Sequence, residues 1–160
     1  MKSVILIRHV KSDWSNLVED FDRPIREDRK IDSLTVATKI AKRNDIPQVV
    51  IASPAKRTQQ TAKQFCRIWH FKISSMVITN KALYECTAAT ILALINKVDE
   101  QYSNIAIVCH NPAITDFVNA YTDLRIDNVP TTGAVKIEFD VQRWADINSM
   151  GTVKWFISPK

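Results

Sequence analysis

Three apolar runs in this chain each lead into arginine or histidine, and this pattern constrains the fold more than any other feature. Short apolar runs rich in β-branched residues are typical of buried strands. In open α/β proteins the carboxyl ends of such strands form the sheet edge at which ligands bind. We therefore expect the side chains that follow the runs to meet at one edge of a sheet. They are Arg8 and His9 after Ile5–Ile7, Arg57 after Val49–Ala52, and His110 after Ile105–Cys109.

The alternation of strands with helices predicts an α/β fold. Leu34, Ala37 and Ile40 have helical spacing, and further helical stretches separate the other strand-like runs. This order predicts a three-layer α/β/α sandwich with a mainly parallel, roughly six-stranded sheet. A loop of about a dozen residues without a clear helix joins the last two strands, so one strand is expected to run antiparallel. The predicted strands are residues 3–7, 48–52, 76–79, 105–109, 135–139 and 153–157.

Short polar residues mark the starts of three predicted helices. Ser53 and Asn111 are each followed by proline, and Thr87 precedes an apolar stretch. A short polar side chain can cap free backbone N–H groups, and proline suits the first helical position. We therefore expect all three residues to be helix caps.

Length and composition fit a single domain spanning residues 1–160. Apolar residues make up 46% of the 160-residue chain and charged residues 24%, both ordinary for a soluble globular protein. No apolar run approaches the roughly 18 residues of a membrane span. The run after Met1 is too short for a signal peptide. We therefore expect a cytoplasmic protein that does not bind membranes.

Charge and residue counts narrow the possible binding sites. The formal net charge of +5 is dispersed along the chain, which favours an anionic substrate over nucleic acid. With two glycines in the chain, a glycine-rich nucleotide loop is excluded. Three widely spaced cysteines without a Cys-x-x-Cys pair predict reduced thiols and no zinc site, and Cys109 is expected to be a small core residue.

The side chains at the predicted edge are suited to phosphoryl transfer. Arg57 falls in the first turn of a helix, where a cation is disfavoured unless an anion binds there. With Arg8 it can hold a phosphate through charge-assisted hydrogen bonds. The two cations disfavour protonation of His9, and a neutral imidazole is a nucleophile that forms covalent intermediates. His110 precedes a helix start, where free N–H groups suit phosphate. No metal is needed if the arginines and His110 neutralise the charge of the phosphate, and no cofactor is expected.

Each of these residues has a plainer explanation when it is considered alone. Arg57 could be a solvated surface arginine. His9 and His110 could be core histidines bonded to the backbone. Their joint occurrence at three strand ends favours a common site over these separate explanations.

At these residues the chain resembles the histidine phosphatase superfamily, and within it the SixA-type phosphohistidine phosphatases. The superfamily carries Arg-His-Gly/Ala after its first strand, and here the residues are Arg8, His9 and Val10. The resemblance covers nearly the whole chain in order and spacing. The matching segments are Leu6–Trp14, Phe21–Ile25, Ser53–Ala62, Cys109–Pro112 and Val129–Ala134.

The resemblance implies a role for each matching residue. His9 would be the phosphorylated nucleophile, and Arg8, Arg57 and His110 would form the phosphate pocket. Glu85 falls where many members of the superfamily carry a proton donor for the leaving group. The other interpretation of Glu85 is a surface or helix-capping glutamate.

Three departures from the family pattern are expected to affect substrate fit. Val10 replaces glycine or alanine beside the nucleophile, which would narrow that spot. Cys109 replaces the glycine before His110. The segment Arg26–Arg29 replaces Asn-Glu-Arg-Gly, which removes a glycine turn and adds charge.

The expected function is dephosphorylation of protein phosphohistidine by a monomeric enzyme. Its expected substrate is a phosphorylated protein of the histidine phosphotransfer or phosphocarrier type, or a small phosphorylated metabolite, and nucleic acid is not an expected partner. The polar connection Lys11–Lys30 is expected to cover the edge of the active site. Two alternatives remain open: a small-molecule phosphomonoesterase, which would depend more on Glu85, and a non-catalytic phosphoprotein-binding module.

Overall fold

The chain folds around one mixed sheet, and the computed structural model describes residues 1–148 and 150–160. The strands are β1 Lys2–Arg8, β2 Val49–Ala52, β3 Val77–Thr79, β4 Asn104–Cys109, β5 Ala134–Phe139 and β6 Thr152–Ile157. Across the sheet they lie in the order β3-β2-β4-β1-β5-β6. Each end lies within one residue of its predicted position. The strand predictions are therefore confirmed.

Strand β5 is the antiparallel member of the sheet. Parallel pairing joins β3 to β2, β2 to β4, and β4 to β1, whereas β5 runs antiparallel to both β1 and β6. A parallel neighbour requires a crossover connection, usually a helix. The described part of the segment between β5 and β6 forms a single 3₁₀ turn, Trp144–Asp146. The prediction of one antiparallel strand near the end of the chain is confirmed.

Helices cover both faces of the sheet. They are α1 Lys30–Lys42, α2 Lys56–Ile68, α3 Ile73–Met76, α4 Ala88–Asn96 and α5 Ala113–Tyr121. The core side chains of β1 alternate between the faces, as the two-residue period of a strand requires. Val4 and Leu6 belong to the apolar cluster under α4 and α5, whereas Ile5 and Ile7 belong to the cluster under α1 and α2. These two cores give the predicted three layers.

The predicted caps of α4 and α2 have different outcomes. Thr87 caps α4, because its Oγ1 accepts a hydrogen bond from the backbone N–H of Thr90 at 3.2 Å. The predicted cap at Ser53 is wrong, because α2 begins at Lys56 and Ala55 holds the cap position. The Ser53 hydroxyl accepts a hydrogen bond from the backbone N–H of Ala55 at 3.3 Å and also lies 2.8 Å from Nε2 of His110. The side chain that the local sequence assigns to a cap thus also forms a contact between distant segments.

Asn111 acts at the start of α5 from one position earlier than predicted. The cap position is held by Pro112, which has helical backbone angles. Asn111 Oδ1 still accepts hydrogen bonds from the backbone N–H of Thr115 at 3.3 Å and from its hydroxyl at 3.1 Å. Its amide donates to the Val129 carbonyl at 3.0 Å. Asn111 thereby ties the helix start to a neighbouring loop.

The connection between β1 and α1 lies at the carboxyl edge of the sheet. It is closed by a bridge between Ser12 and Ile25 and contains two 3₁₀ turns, Asp20–Asp22 and Glu27–Arg29. The segment Arg26–Arg29 forms the second turn and its cap position, and Arg26 pairs with Asp28 at 2.7 Å. A local ion pair thus accompanies the loss of the family glycine.

All three cysteines are free thiols. Cys66 and Cys109 are buried, and Cys86 is half-buried. The expectation that Cys109 is a core residue is confirmed. Among the described residues, no helix combines the length and apolar character needed to cross a membrane.

Candidate active site

The predicted site residues converge at one edge of the sheet. Strands β2, β4 and β1 are neighbours, so their carboxyl ends lie side by side. Arg8 ends β1, His110 follows β4, and Arg57 lies in the first turn of α2. These three residues and His9 line one cavity of about 340 Å³. The remaining lining residues are Lys11, Ser12, Trp14, Arg23, Asn111 and Thr131.

His9 is buried and its ring is held by a backbone hydrogen bond. Its Nδ1 lies 2.7 Å from the carbonyl oxygen of Val10. Because a carbonyl can only accept, Nδ1 carries the proton in this contact and Nε2 retains its lone pair. Burial lowers the pKa of His9 to about 3, and the charges of His110 and the neighbouring arginines act in the same direction. His9 is therefore a neutral imidazole near pH 7.

His110 lies across the cavity from His9, the candidate nucleophile. The ring centroids of His9 and His110 are 5.5 Å apart. Burial, followed by the charge of Arg57, lowers the pKa of His110 to about 4. Its Nε2 contacts the Ser53 hydroxyl, and its buried Nδ1 has no hydrogen-bond partner among the described residues. If the serine donates, Nδ1 is left as an N–H donor for an anion.

Three arginines bring positive charge to the cavity. Arg8 donates to the Val129 carbonyl at 2.8 Å, and Arg57 donates to the Asp20 carbonyl at 2.8 Å. The buried Nε atoms of Arg8, Arg23 and Arg57 have no partner among the described residues. An unsatisfied buried donor costs about 1–3 kcal/mol, and more when it is charged. Three arginines with unsatisfied donors around one cavity fit an anion site such as a phosphate site.

Asp20 holds two of the three arginines. Its carboxylate accepts hydrogen bonds from Arg23 at 2.6 Å and from Arg57 at 3.2 Å. The Tyr84 hydroxyl donates a third at 2.6 Å, and the Tyr84 ring lies 5.8 Å from the ring of His110. The hydrogen bond from Tyr84, reinforced by the arginines, holds the pKa of Asp20 well below its ordinary value. Asp20 is therefore an ionised anchor at the rim of the site.

Arg23 is a cavity residue that the sequence prediction did not assign. It is buried, its Nη1 donates to the hydroxyl of Ser12, and its guanidinium lies 3.6 Å from the ring centre of Trp14. Its segment matched the family pattern, but that match carried no role. The sequence feature that could have indicated Arg23 is its position in the connection Lys11–Lys30, which is predicted to cover the site. Asp20 and Tyr84 were likewise not predicted.

Glu85, Val10 and Cys109 lie outside the cavity lining. The Glu85 side chain is exposed, and its role as proton donor stays a prediction. Val10 is fully buried, and its backbone N–H donates to the Thr61 hydroxyl at 2.9 Å. The cavity lining does not include the Val10 side chain, and the expected narrowing beside the nucleophile stays a prediction. In residues 1–148 and 150–160 no group of three or more His, Cys, Asp or Glu side chains is placed to hold a metal ion.

Sequence comparison identifies one partial relative. No protein-family model matches the chain. The chain is 35% identical to an uncharacterized chloroplastic protein of Arabidopsis thaliana over 63 residues. The match covers 39% of this chain and 29% of that protein. This chain therefore matches less than a third of the relative's length.

Solved structures share the fold over nearly the whole chain. A protein assigned as the phosphohistidine phosphatase SixA of Agrobacterium tumefaciens superposes with a TM-score of 0.83 at 22% identity, covering 99% of this chain and 98% of that one. The protein histidine phosphatase SixA complexed with tungstate gives 0.78 at 20% identity, covering 98% and 97%. A mycobacterial glucosyl-3-phosphoglycerate phosphatase gives 0.70 at 13% identity, covering 96% and 97%. The resemblance to SixA-type proteins is thus confirmed at the level of the fold.

Proposed function

We propose that this chain, which has the fold of the SixA phosphatases, removes the phosphoryl group from protein phosphohistidine through a phosphorylated His9. The observation that carries the proposal is that the ring of His9 is oriented by a hydrogen bond and is neutral. Its Nδ1 is bound to the Val10 carbonyl, and burial keeps it neutral in a cavity lined by three arginines. A site that only bound phosphate would gain more from a protonated histidine. A neutral imidazole serves a nucleophile instead.

The first step transfers the phosphoryl group to His9. The lone pair of Nε2 forms a bond to phosphorus while the bond from phosphorus to the substrate imidazole breaks. The departing imidazole keeps the electron pair of the broken bond and takes up a proton from solvent. Arg8 and Arg57 hold the oxygens of the transferring group, as preorganised charge does in phosphoryl transfer. The Val10 carbonyl stabilises the positive charge that develops on the ring of His9.

The second step hydrolyses the phosphorylated enzyme. A water oxygen forms a bond to phosphorus as the bond to Nε2 breaks, and the electron pair returns to the ring. Both protons of the water remain with the released inorganic phosphate, which can pass one of them to solvent, so His9 is restored as a neutral imidazole. The low pKa of His9 favours this product, because the ring does not retain a proton near pH 7.

Two observations support phosphohistidine as the substrate. A protonated imidazole is a good leaving group and needs less help from an acid than an alkoxide does. The exposed position of Glu85, outside the cavity lining, is compatible with such a substrate. Among proteins with this fold, those that superpose with TM-scores of 0.83 and 0.78 are named as phosphohistidine or protein histidine phosphatases.

A substrate panel tests the proposal. The substrates are a phosphocarrier protein phosphorylated on histidine, free phosphohistidine, p-nitrophenyl phosphate and a sugar phosphate. We expect kcat/KM to be highest for the phosphorylated protein, and we expect the His9→Asn variant to be inactive on every substrate. Binding of the phosphorylated protein without any release of phosphate would instead support a phosphoprotein-binding module.

A small-molecule phosphomonoesterase is the second candidate. It is favoured by the shared fold with the glucosyl-3-phosphoglycerate phosphatase, at a TM-score of 0.70. An alkyl phosphate has a poor leaving group, so this function requires a proton donor such as Glu85. A higher kcat/KM for the sugar phosphate than for both phosphohistidine substrates would favour this second candidate.

A further inference from the structure

Four large apolar side chains form an exposed ridge beside the active site. Trp14 is 76% exposed, Leu17 is fully exposed, Val18 is 47% exposed and Phe21 is 40% exposed. Single exposed apolar residues are common on proteins, but several within one short segment favour an interaction surface. Among the described residues, four of the eleven exposed large apolar side chains lie in these eight positions. We call Trp14, Leu17, Val18 and Phe21 the apolar ridge.

The apolar ridge adjoins the phosphate cavity at both of its ends. Trp14 itself lines the cavity and stacks on the buried guanidinium of Arg23. Phe21 packs edge-on against Tyr84, with the ring centroids 5.1 Å apart. The Tyr84 ring in turn lies against His110. A molecule that covers the apolar ridge therefore also reaches the mouth of the cavity.

Polar contacts at the base of the segment hold the apolar ridge in place. The backbone N–H of Asp13 donates to the Pro24 carbonyl at 2.8 Å, and Ser12 forms a bridge with Ile25. Asp20, between Val18 and Phe21 in the chain, is paired with Arg57. An anchored segment loses less conformational freedom on binding than a loose one, which favours association. The exposure of the apolar ridge is therefore a feature of a fixed segment.

We propose that the apolar ridge docks the phosphorylated protein substrate, through apolar side chains that flank its phosphohistidine. This inference rests on the proposed function. The cavity, at about 340 Å³, lies near the lower end of the range of about 300–1,000 Å³ for small-molecule pockets. It has room for a phosphorylated side chain, so the rest of a protein substrate lies on the rim. The arginines attract the phosphoryl group, and the adjoining apolar ridge covers the apolar surface beside it.

The test compares a ridge variant with a matched surface variant. The ridge variant is Leu17→Ser with Val18→Ser, since neither residue lines the cavity. The control is Ile31→Ser with Leu34→Ser on α1, where the side chains are 57% and 48% exposed. The substrates are a histidine phosphotransfer domain and a phosphocarrier protein, both phosphorylated with phosphoramidate, and free phosphohistidine. Free phosphohistidine has the same leaving group without a protein surface.

We expect kcat/KM of the ridge variant to fall about tenfold or more on at least one phosphorylated protein, mainly through a higher KM. A loss of about this size is typical when apolar contacts are removed from an interface. The kcat/KM of the ridge variant on free phosphohistidine should match that of the unaltered enzyme, and the α1 variant should match it on all substrates. If the ridge variant has the same kcat/KM as the unaltered enzyme on both proteins, the docking proposal is overturned and the proposed function is unaffected. A ridge variant that changes only the oligomeric state would overturn it in favour of a second copy. Failure of the unaltered enzyme to hydrolyse any phosphohistidine substrate would contradict the proposed function itself.

Discussion

The carboxylate of Asp20 lies 3.2 Å from Nη2 of Arg57, so an acidic side chain binds one of the arginines that line the cavity. The same carboxylate binds Arg23 and accepts a hydrogen bond from Tyr84. A negative charge beside an anion site opposes substrate binding. We therefore infer that the role of the Asp20 carboxylate is to hold Arg23 and Arg57 in position.

Replacement of Asp20 tests this positioning role. In Asp20→Asn the guanidinium of Arg57 loses its charged partner, and small displacements of a positioning group can cost about a hundredfold in rate. We expect kcat to fall about tenfold or more, while KM does not rise because repulsion of the anionic substrate is relieved. Steady-state kinetics measure both values.

The exposed neighbour Asp22 supplies the control for this substitution. Asp22→Asn removes the same charge from the same 3₁₀ turn, and it should leave kcat unchanged. An equal loss in both variants would show that the net charge of the turn matters rather than the contact with Arg57. A higher KM in Asp20→Asn would contradict the expected relief of repulsion.

The two buried histidines predict an acid-sensitive fold. Their pKa values fall from 6.5 to about 3 for His9 and about 4 for His110. Below pH 6.5 the unfolded chain binds protons that the folded chain excludes, so the free energy of unfolding decreases as the pH falls. The expected slope is about 1.4 kcal/mol per pH unit for each histidine. Above pH 6.5 this contribution is fully present.

Urea unfolding between pH 7 and pH 4.5 in phosphate-free buffer measures that slope. The His9→Ala variant should lose the slope of one proton relative to the unaltered protein. His70→Asn serves as the control, because His70 is exposed and asparagine tolerates its φ of 61°. A slope in His9→Ala equal to that of the unaltered protein would mean that His9 is not buried in the neutral form.

Loss of His110 should slow turnover without preventing phosphorylation of the enzyme. His110 lines the cavity, and its Nδ1 has no hydrogen-bond partner among the described residues. Removal of one preorganised contact to the transferring oxygens costs about a hundredfold or more. We therefore expect His110→Ala to reduce kcat by about a hundredfold and still to accumulate phosphorylated His9. Rapid-quench experiments with labelled substrate measure both quantities. A kcat equal to that of the unaltered enzyme would remove His110 from the catalytic site.

Glu85 should matter for alkyl phosphates alone. Loss of a general acid typically costs about a hundredfold or more. We expect Glu85→Gln to keep its kcat on protein phosphohistidine, because the imidazole leaving group needs less acid assistance, and to lose any activity on sugar phosphates. A large loss of kcat on protein phosphohistidine would show that Glu85 protonates this leaving group as well.

Sequence predicts the part of the site that follows strands. Arg8, His9 and His110 come at the ends of apolar runs, and parallel neighbours bring such ends together. The expected direction of the His9 pKa shift agrees with the structure, although burial is its largest cause. These features depend on local pattern and on one general rule of sheet geometry.

Other features depend on the path of the connection and could not be predicted. The contact between Asp20 and Tyr84 joins residues 64 positions apart, and no periodicity relates them. Ser53 reads locally as a cap, but its contact with His110 spans 57 positions. The packing of Val10 depends on the direction its side chain takes after β1 ends. Long-range contacts of this kind set the second layer around the site.

The identity of the phosphorylated residue tests the central claim most directly. The enzyme is mixed with a phosphohistidine protein, quenched with base within milliseconds and digested, and the phosphate is mapped by mass spectrometry. The proposed mechanism predicts acid-labile phosphate on His9, which appears and decays at rates compatible with kcat, and no label in His9→Ala. Phosphate on His110 with His9 unmodified, or undiminished turnover by His9→Ala, would contradict it.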